Sequence, residues 1–239
     1  VLDALSETTS TNILAARLPA WHAVRADTQT DGRGRTGRHW TSDTGGLWLS
    51  AVVPCPGPRE NWARLPLAVG WALLDTLASL GAVDLRLRWP NDILAGSRKL
   101  AGLLVERHTP DTAVVGIGLN VFNHPESDDA TLRGATARLA DLVALGDRNL
   151  DDIAALVLCA VARAHQTLCH EGFSPIAAAL NDRWSQPRLV ALTLADQTQP
   201  VLGNFLGIDP AGNLILRARD GSTRTFDAHR VALLRELAA

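Results

Sequence analysis

The sequence predicts an α/β domain of enzyme size over residues 1–186, followed by a small all-β unit over residues 187–239. Three observations carry this. Up to about residue 185, apolar residues switch between the two-residue period of strands and the 3.6-residue period of helices. Beyond it only short strand-like runs remain, divided by the turn sequences "ADQT", "PAGN" and "DGS". A chain of 239 residues that is 46% hydrophobic can bury one large core, or one core plus a small second one.

"STNILAARL" reads as a short helix, with Ser10 and Thr11 as N-cap candidates and Ile13, Leu14 and Leu18 as its apolar stripe. "HAVRAD" is a short strand. "TQTDGRGRTGRHWTSDTGG" is polar and rich in Gly and Arg, hence a loop, and "LWLSAVV" is a strand. Pro66 starts a helix that is apolar nearly all round through "LPLAVGWALLDTLASL", the pattern of a buried helix. In "DLRLRW", Leu85, Leu87 and Trp89 face one side and Arg86 and Arg88 the other; Pro90 ends the strand. "AGS" turns the chain and "KLAGLLVE" returns it. "TAVVGIGLNV" is apolar enough to be central, whereas residues 123–149 are polar and irregular. "LDDIAALVLCAVARAHQTL" keeps the helical period with acids in its first turn, and "SPIAAALNDRW" adds a helix with Pro175 in its first turn. The β unit comprises "RLVALTL", "QPVLGNFLGID", "NLILRAR" and "STRTFD".

The formal charge of −2 argues against a dedicated nucleic-acid binder. The absence of an apolar run of about 18 residues predicts no membrane span, and the N-terminus lacks the layout of a signal peptide. Cys55, Cys159 and Cys169 form no CxxC, and the last two lie about 15 Å apart along one predicted helix, too far to bridge; a reduced, cytoplasmic protein is expected. His165 and Cys169 share a helical i, i+4 spacing without a nearby third ligand, so no metal site is predicted there.

"GRGRTGR" contains G-x-G-x-x-G at Gly32, Gly34 and Gly37, but no strand precedes it directly, no helix follows, and no acid lies about 20 residues on; a dinucleotide fold is not expected. What remains is a mobile loop carrying Arg33, Arg35 and Arg38. Guanidinium forks suit carboxylate and phosphate oxygens, so the loop reads as a lid over an anionic ligand. The plainer reading is a solvated basic loop. Lys99 is the only lysine; the other basic residues are all arginine. Arginine-favouring codon usage would explain a lone survivor. The alternative is a site that needs a compact ammonium. Pairing of the flanking strands would bring Lys99 beside Asn91 and Asp92.

"STN" at 10–12, "QTDGRGRTGRHW" at 29–40, "RWPNDI" with "KLAG" within 88–102, and "GIGLNV" at 116–121 resemble, in order and spacing, the catalytic domain of bacterial biotin protein ligases. The resemblance covers residue 8 to about 185, and the β unit is similar to that family's C-terminal domain. It implies a mixed, mainly antiparallel sheet backed by helices, of the class II synthetase-like type, with a small SH3-like β-barrel. Residues 1–186 and 187–239 would be the two domains. It also implies a two-step reaction: biotin and MgATP give biotinyl-5′-AMP, which then acylates a lysine of a biotin carboxyl carrier domain. Lys99 and Arg35 would be catalytic. Ser10, Thr11, Asn12, Gln29, Arg33, Gly34, Arg35, Lys99 and Gly102 would bind biotin, Gly102 by leaving room for it. Arg38, Trp40, Asn91, Asp92, Asn120 and Arg235 would hold ATP and the adenylate, with Mg²⁺ near Asn91 and Asp92. Thr36 stands where many members carry Arg, which removes one phosphate contact. No helix-turn-helix precedes residue 8, so the chain resembles the monofunctional class, a monomer or homodimer that binds no specific DNA. Trp21, Trp48, Trp62, Trp71 and Trp184 are expected to pack rather than bind ligand. The rival readings are a lipoate ligase or octanoyl transferase of the same fold, and a non-catalytic biotin sensor.

Overall fold

The computed structural model describes residues 1–58, 62–123 and 135–237. Its main sheet has seven strands: β1 (Leu2–Thr8), β2 (Ala23–Gln29), β3 (Leu47–Pro54), β4 (Leu85–Arg88), β5 (Asp92–Ala95), β6 (Arg98–Glu106) and β7 (Thr112–Leu119), ordered β1-β2-β3-β7-β6-β5-β4. Only β1 and β2 run parallel; every other pair is antiparallel. The expected mixed, mainly antiparallel sheet is therefore what forms.

β3 and β7 are central because both are apolar on both faces, and their ladder runs without a break from Leu47↔Leu119 to Pro54↔Thr112. Helix α1 (Thr11–Ala15) lies in the crossover that makes β1 and β2 parallel, and Ala15 packs on Val52 and Val114. Helix α2 (Leu65–Ser79) starts with Pro in its first turn and is buried on most sides, as its composition predicts. It lies close against β4: a Cβ at Gly70 would stand 2.8 Å from Leu87 Cδ1.

Three strands escape the sequence reading, one of them Val231–Glu236 at the end of the C-terminal β unit. β1 is an edge strand with five of its seven residues exposed, so no alternation marks it. β5 is four residues long and lies between two tight turns. The predicted single hairpin from residue 84 to 106 is thus a three-strand meander, with a register shift at Ile93/Leu94.

Helix α3 (Leu150–His170) is capped by Asn149, whose Oδ1 accepts the N–H groups of Asp151 and Asp152 while Asp152 Oδ2 accepts the Asn149 N–H. The expectation that no segment matches a membrane span needs correction: by length and composition α3 passes that test. Its large apolar residues nonetheless gather on one face, where Ile153, Val157, Ala160, Val161 and Ala164 are buried, while Asp151, Asp152, Arg163 and Gln166 lie on the exposed side.

The chain forms two compact units, Val1–Gln166 and Thr167–Ala239. The expected division at 186/187 falls between α4 (Ser174–Arg183) and β8 (Arg188–Leu194). The second unit holds a five-stranded antiparallel sheet in the order β11-β10-β9-β8-β12, completed by β9 (Val201–Ile208), β10 (Leu214–Ala218), β11 (Thr223–Phe226) and β12 (Val231–Glu236). The Asn181 amide clasps both backbone groups of Ile208, and Trp184 meets Phe205 edge-on at 5.1 Å, tying α4 to this sheet.

Candidate active site

Ser10, Thr11 and Asn12 are buried where the chain enters α1. Thr11 N–H donates to Gln29 Oε1 at 2.8 Å, and the Thr11 hydroxyl lies 3.0 Å from the same oxygen. Ser50 Oγ, on β3, lies 2.7 Å from Thr11 Oγ1 and 2.6 Å from Asn12 Oδ1. Asn12 Nδ2 donates to Glu106 Oε2 at 2.7 Å. On the other side, Gln29 Nε2 donates to Ser42 Oγ at 2.8 Å, and the Ser42 hydroxyl donates to the Trp40 carbonyl at 3.0 Å. Gly116 makes the arrangement fit, since a Cβ there would stand 2.2 Å from Asn12 Oδ1. Ser10 caps α1 by position but makes no side-chain capping bond.

The glycine–arginine loop is folded on itself. Gly34 N–H donates to the Arg38 carbonyl at 2.7 Å and Trp40 N–H to the Gly32 carbonyl at 2.8 Å. Arg35–Gly37 form a 3₁₀ turn in which Thr36 is left-handed (φ 57°). Gly32 is required by packing: a Cβ there would lie 2.4 Å from the Trp40 carbonyl oxygen. The three arginines diverge. Arg33 pairs with Asp31 on the surface, Arg38 is exposed, and Arg35 reaches inward to 3.4 Å from Asn91 Oδ1.

The Trp40 ring lies across neighbouring glycines of β6 and β7. A Cβ at Gly102 would stand 2.8 Å from it and one at Gly118 2.6 Å from it. In this structure the room that Gly102 leaves is filled by Trp40. The ring's Nε1–H is buried and finds no hydrogen-bond partner among the described residues, and Lys99 Nζ lies 4.7 Å from a ring centroid.

Lys99 and Asp92 meet across the β5–β6 turn. Lys99 Nζ lies 2.8 Å from Asp92 Oδ1, and Arg88 Nη2, reaching from β4, lies 2.6 Å from Asp92 Oδ2. Burial alone would push the Asp92 carboxyl up; the two cations more than offset it and hold it below the ordinary carboxylate range. Asn91 Nδ2 donates to the Leu103 carbonyl at 2.8 Å. Asn120 is engaged within the protein, donating to the carbonyls of Ala137 and Lys99 and accepting from Asn123 Nδ2. Arg235 lies on β12, in the second unit. Among the described residues no group of three or more His, Cys, Asp or Glu side chains converges to hold a metal. Asn91 and Asp92 do not fit a protein-held Mg²⁺ site as they stand: both Asp92 oxygens already accept from cations, and Arg35 faces the Asn91 carbonyl.

Ser42, Ser50, Glu106 and the inward role of Arg88 are absent from the sequence-derived site. Ser50 did leave a signal. It is the one hydroxyl inside the apolar run "LWLSAVV" and is fully buried, a position that needs a polar partner. Glu106 left none, because its partner lies 94 residues away in the chain.

Comparison with known proteins narrows the reading. The model of the Biotin/lipoate A/B protein ligase family matches residues 4–121, and that of the Biotin protein ligase C terminal domain matches residues 190–233. A biotin–[acetyl-CoA-carboxylase] ligase of Paracoccus denitrificans is 34% identical over 233 residues, 91% of this chain and 94% of that protein. The chain belongs to the biotin protein ligase family. A ligase of the same name from Mycobacterium tuberculosis is 42% identical over 159 residues, 62% of this chain and 58% of its own length. The biotin protein ligase of Aquifex aeolicus, solved in complex with biotin and ATP, superposes with a TM-score of 0.83 at 25% identity and covers 99% of both chains.

Proposed function

We propose that this biotin protein ligase family member activates biotin with ATP and passes it to the carrier lysine of a biotin-dependent carboxylase. In the first step a biotin carboxylate oxygen attacks the α-phosphorus, the bond to pyrophosphate breaks, and biotinyl-5′-AMP forms. In the second step the carrier's ε-amine attacks the acyl carbon, loses a proton and releases AMP. The observation that carries the reading is the lone lysine: Lys99 is held by Asp92 beside the Trp40 ring, with Arg35 approaching from the loop.

The chemistry suits these groups. A carboxylate that attacks a phosphate brings two anions together, and a preorganised ammonium lowers the repulsion. The buried Trp40 Nε1–H needs an acceptor, which a nucleotide or adenylate oxygen would supply. Mg²⁺ would arrive on the ATP phosphates rather than be held by Asn91 and Asp92 alone. The acetyl-CoA-carboxylase ligases among the relatives point to that enzyme's carrier domain as the acceptor. Three cysteines present as thiols suit a reducing compartment such as the cytoplasm.

The deciding experiment is ATP–pyrophosphate exchange with biotin, with lipoate and with neither. Exchange that requires biotin is expected. Exchange with lipoate alone would move the chain to the lipoate ligase reading, and biotin binding without exchange would make it a sensor.

A further inference from the structure

Lys99 stands where the main sheet runs out. The β6–β7 ladder reaches only to Ala101↔Leu119, and one further bond follows it, from the Asn120 N–H to the Leu100 carbonyl at 3.0 Å. Beside Lys99 a short segment, 135–137, takes the place of β7. The Lys99 N–H donates to the Ala135 carbonyl at 2.7 Å, the Ala137 N–H donates to the Lys99 carbonyl at 2.9 Å, and Lys99 and Thr136 form a parallel bridge. A strand residue directs its N–H and C=O to the same neighbour, so this segment, and not β7, fixes the Lys99 main chain.

Two buried amides hold the segment there. Asn120 Nδ2 donates to the Ala137 carbonyl at 3.1 Å and reaches to 3.4 Å from the Lys99 carbonyl, so it bridges the two stretches of chain. Asn123 fixes which way that amide faces. The Val121 N–H can only donate, so Asn123 turns Oδ1 to it at 3.1 Å and Nδ2 to Asn120 Oδ1 at 3.1 Å. With its oxygen facing Asn123, Asn120 presents its nitrogen to the two carbonyls. Asn123 is itself anchored just past β7, where its N–H and that of Phe122 share the Gly45 carbonyl. Asn120 is 3% exposed and Asn123 4%, so water offers neither amide a substitute partner.

We infer that Asn123, acting through Asn120, is a positioning residue for Lys99: the two amides bracket segment 135–137 against the Lys99 main chain and so set where the ammonium stands during formation of the adenylate. The inference rests on the proposed function and adds to it a residue that touches neither biotin nor nucleotide. Asp92 holds the tip of the Lys99 side chain at 2.8 Å, and the bracket holds its root. Both are needed, because an ammonium displaced by about 1 Å from two reacting anions can forfeit about 100-fold in rate.

The test is Asn123→Asp, which hardly changes volume. The carboxylate still accepts from the Val121 N–H but offers Asn120 Oδ1 no donor. The Asn120 amide then turns its nitrogen to the carboxylate and its oxygen to the carbonyls of Ala137 and Lys99, and the bracket opens. Two N–H donors keep the introduced carboxylate ionised. Single-turnover formation of biotinyl-AMP at saturating biotin and ATP should fall at least about tenfold. The Kd for biotin, read by calorimetry, should change by less than about threefold, since no bond of the bracket involves Thr11, Asn12 or Gln29. In a Lys99→Ala background the same substitution should lower the rate by less than about twofold, because a residue that acts through Lys99 then has nothing to position. An equal loss with and without Lys99 would mark a general structural role and overturn the inference, as would the parent rate in Asn123→Asp. If that variant does not fold, amide exchange on the parent protein, read by NMR, decides. The Lys99 and Ala137 amides should exchange at one common rate, because they share one opening. Lys99 protected like Leu103 of β6, with Ala137 exchanging at least about tenfold faster, would overturn the bracket. A parent that forms no biotinyl-AMP overturns the functional reading and the positioning role with it.

Discussion

Lys99 has neighbours that arginine cannot serve equally. Its ammonium is 2.8 Å from Asp92 and 4.7 Å from the centroid of a Trp40 ring. A guanidinium is wider and directs its donors in a plane. Lys99→Arg should therefore fold normally yet lose at least about tenfold in single-turnover biotinyl-AMP formation, and Lys99→Ala about 100-fold or more. Transfer from pre-formed biotinyl-AMP should suffer less, because the encounter of two anions is then past. Asp92 gives a second prediction. Its carboxyl is held below the ordinary range in the folded protein, so its contribution to stability is complete above the unfolded value and is lost as pH falls through the lower folded value. Lys99→Ala or Arg88→Ala removes one of the groups that offset burial, which raises the folded value. Acid unfolding followed by circular dichroism should then begin at a higher pH than in the parent. An unchanged acid midpoint in both variants would count against the pairing.

At the scale of elements, legibility followed burial. β3 and β7 announced themselves because a strand covered on both faces must be apolar throughout, α2 because Pro66 opens a long run that is apolar nearly all round, and α3 because its period persists over many residues. β1 stayed hidden because Asp3, Ser6 and Glu7 occupy both faces of an exposed edge. β5 stayed hidden because four residues carry too little pattern. For the site, residues grouped in short motifs were legible: Thr11, Asn12, Gln29, Asp92 and Lys99. Of those brought in from distant strands, Glu106 left no signal and Ser50 only that of a hydroxyl in an apolar run, since pairing register decides their partners. The glycines of β6 and β7 give this scale its prediction. Gly118→Ala places a methyl 2.6 Å from the Trp40 ring, on a strand too well anchored to move. The ring must shift instead, at a cost of about 1–3 kcal/mol. Proteolysis within Gly32–Arg38 should accelerate, because Trp40 N–H and Ser42 close that loop. A cleavage rate equal to the parent's would refute it.

At the scale of the whole molecule, the residues assembled around Lys99 and Thr11 all belong to the first compact unit, whereas the second is built of polar turns and a five-stranded sheet. Deleting residues 187–239 should reduce carrier biotinylation while a folded truncation still binds biotin; calorimetry on that truncation checks it. The long ladder between β3 and β7 has a further consequence, for how the chain is made. Pro54 pairs with Thr112 and Leu47 with Leu119, so the sheet's central strand leaves the ribosome well before its inner partner exists. At about 5–20 residues per second the wait is several seconds. Through that time "LWLSAVV" is an apolar, β-prone segment with one edge unpaired, the kind most prone to associate with its own copies. Contacts so distant in sequence also make folding slow. Refolding yield should therefore fall as protein concentration rises, and a holdase that covers residues 47–54 should restore it.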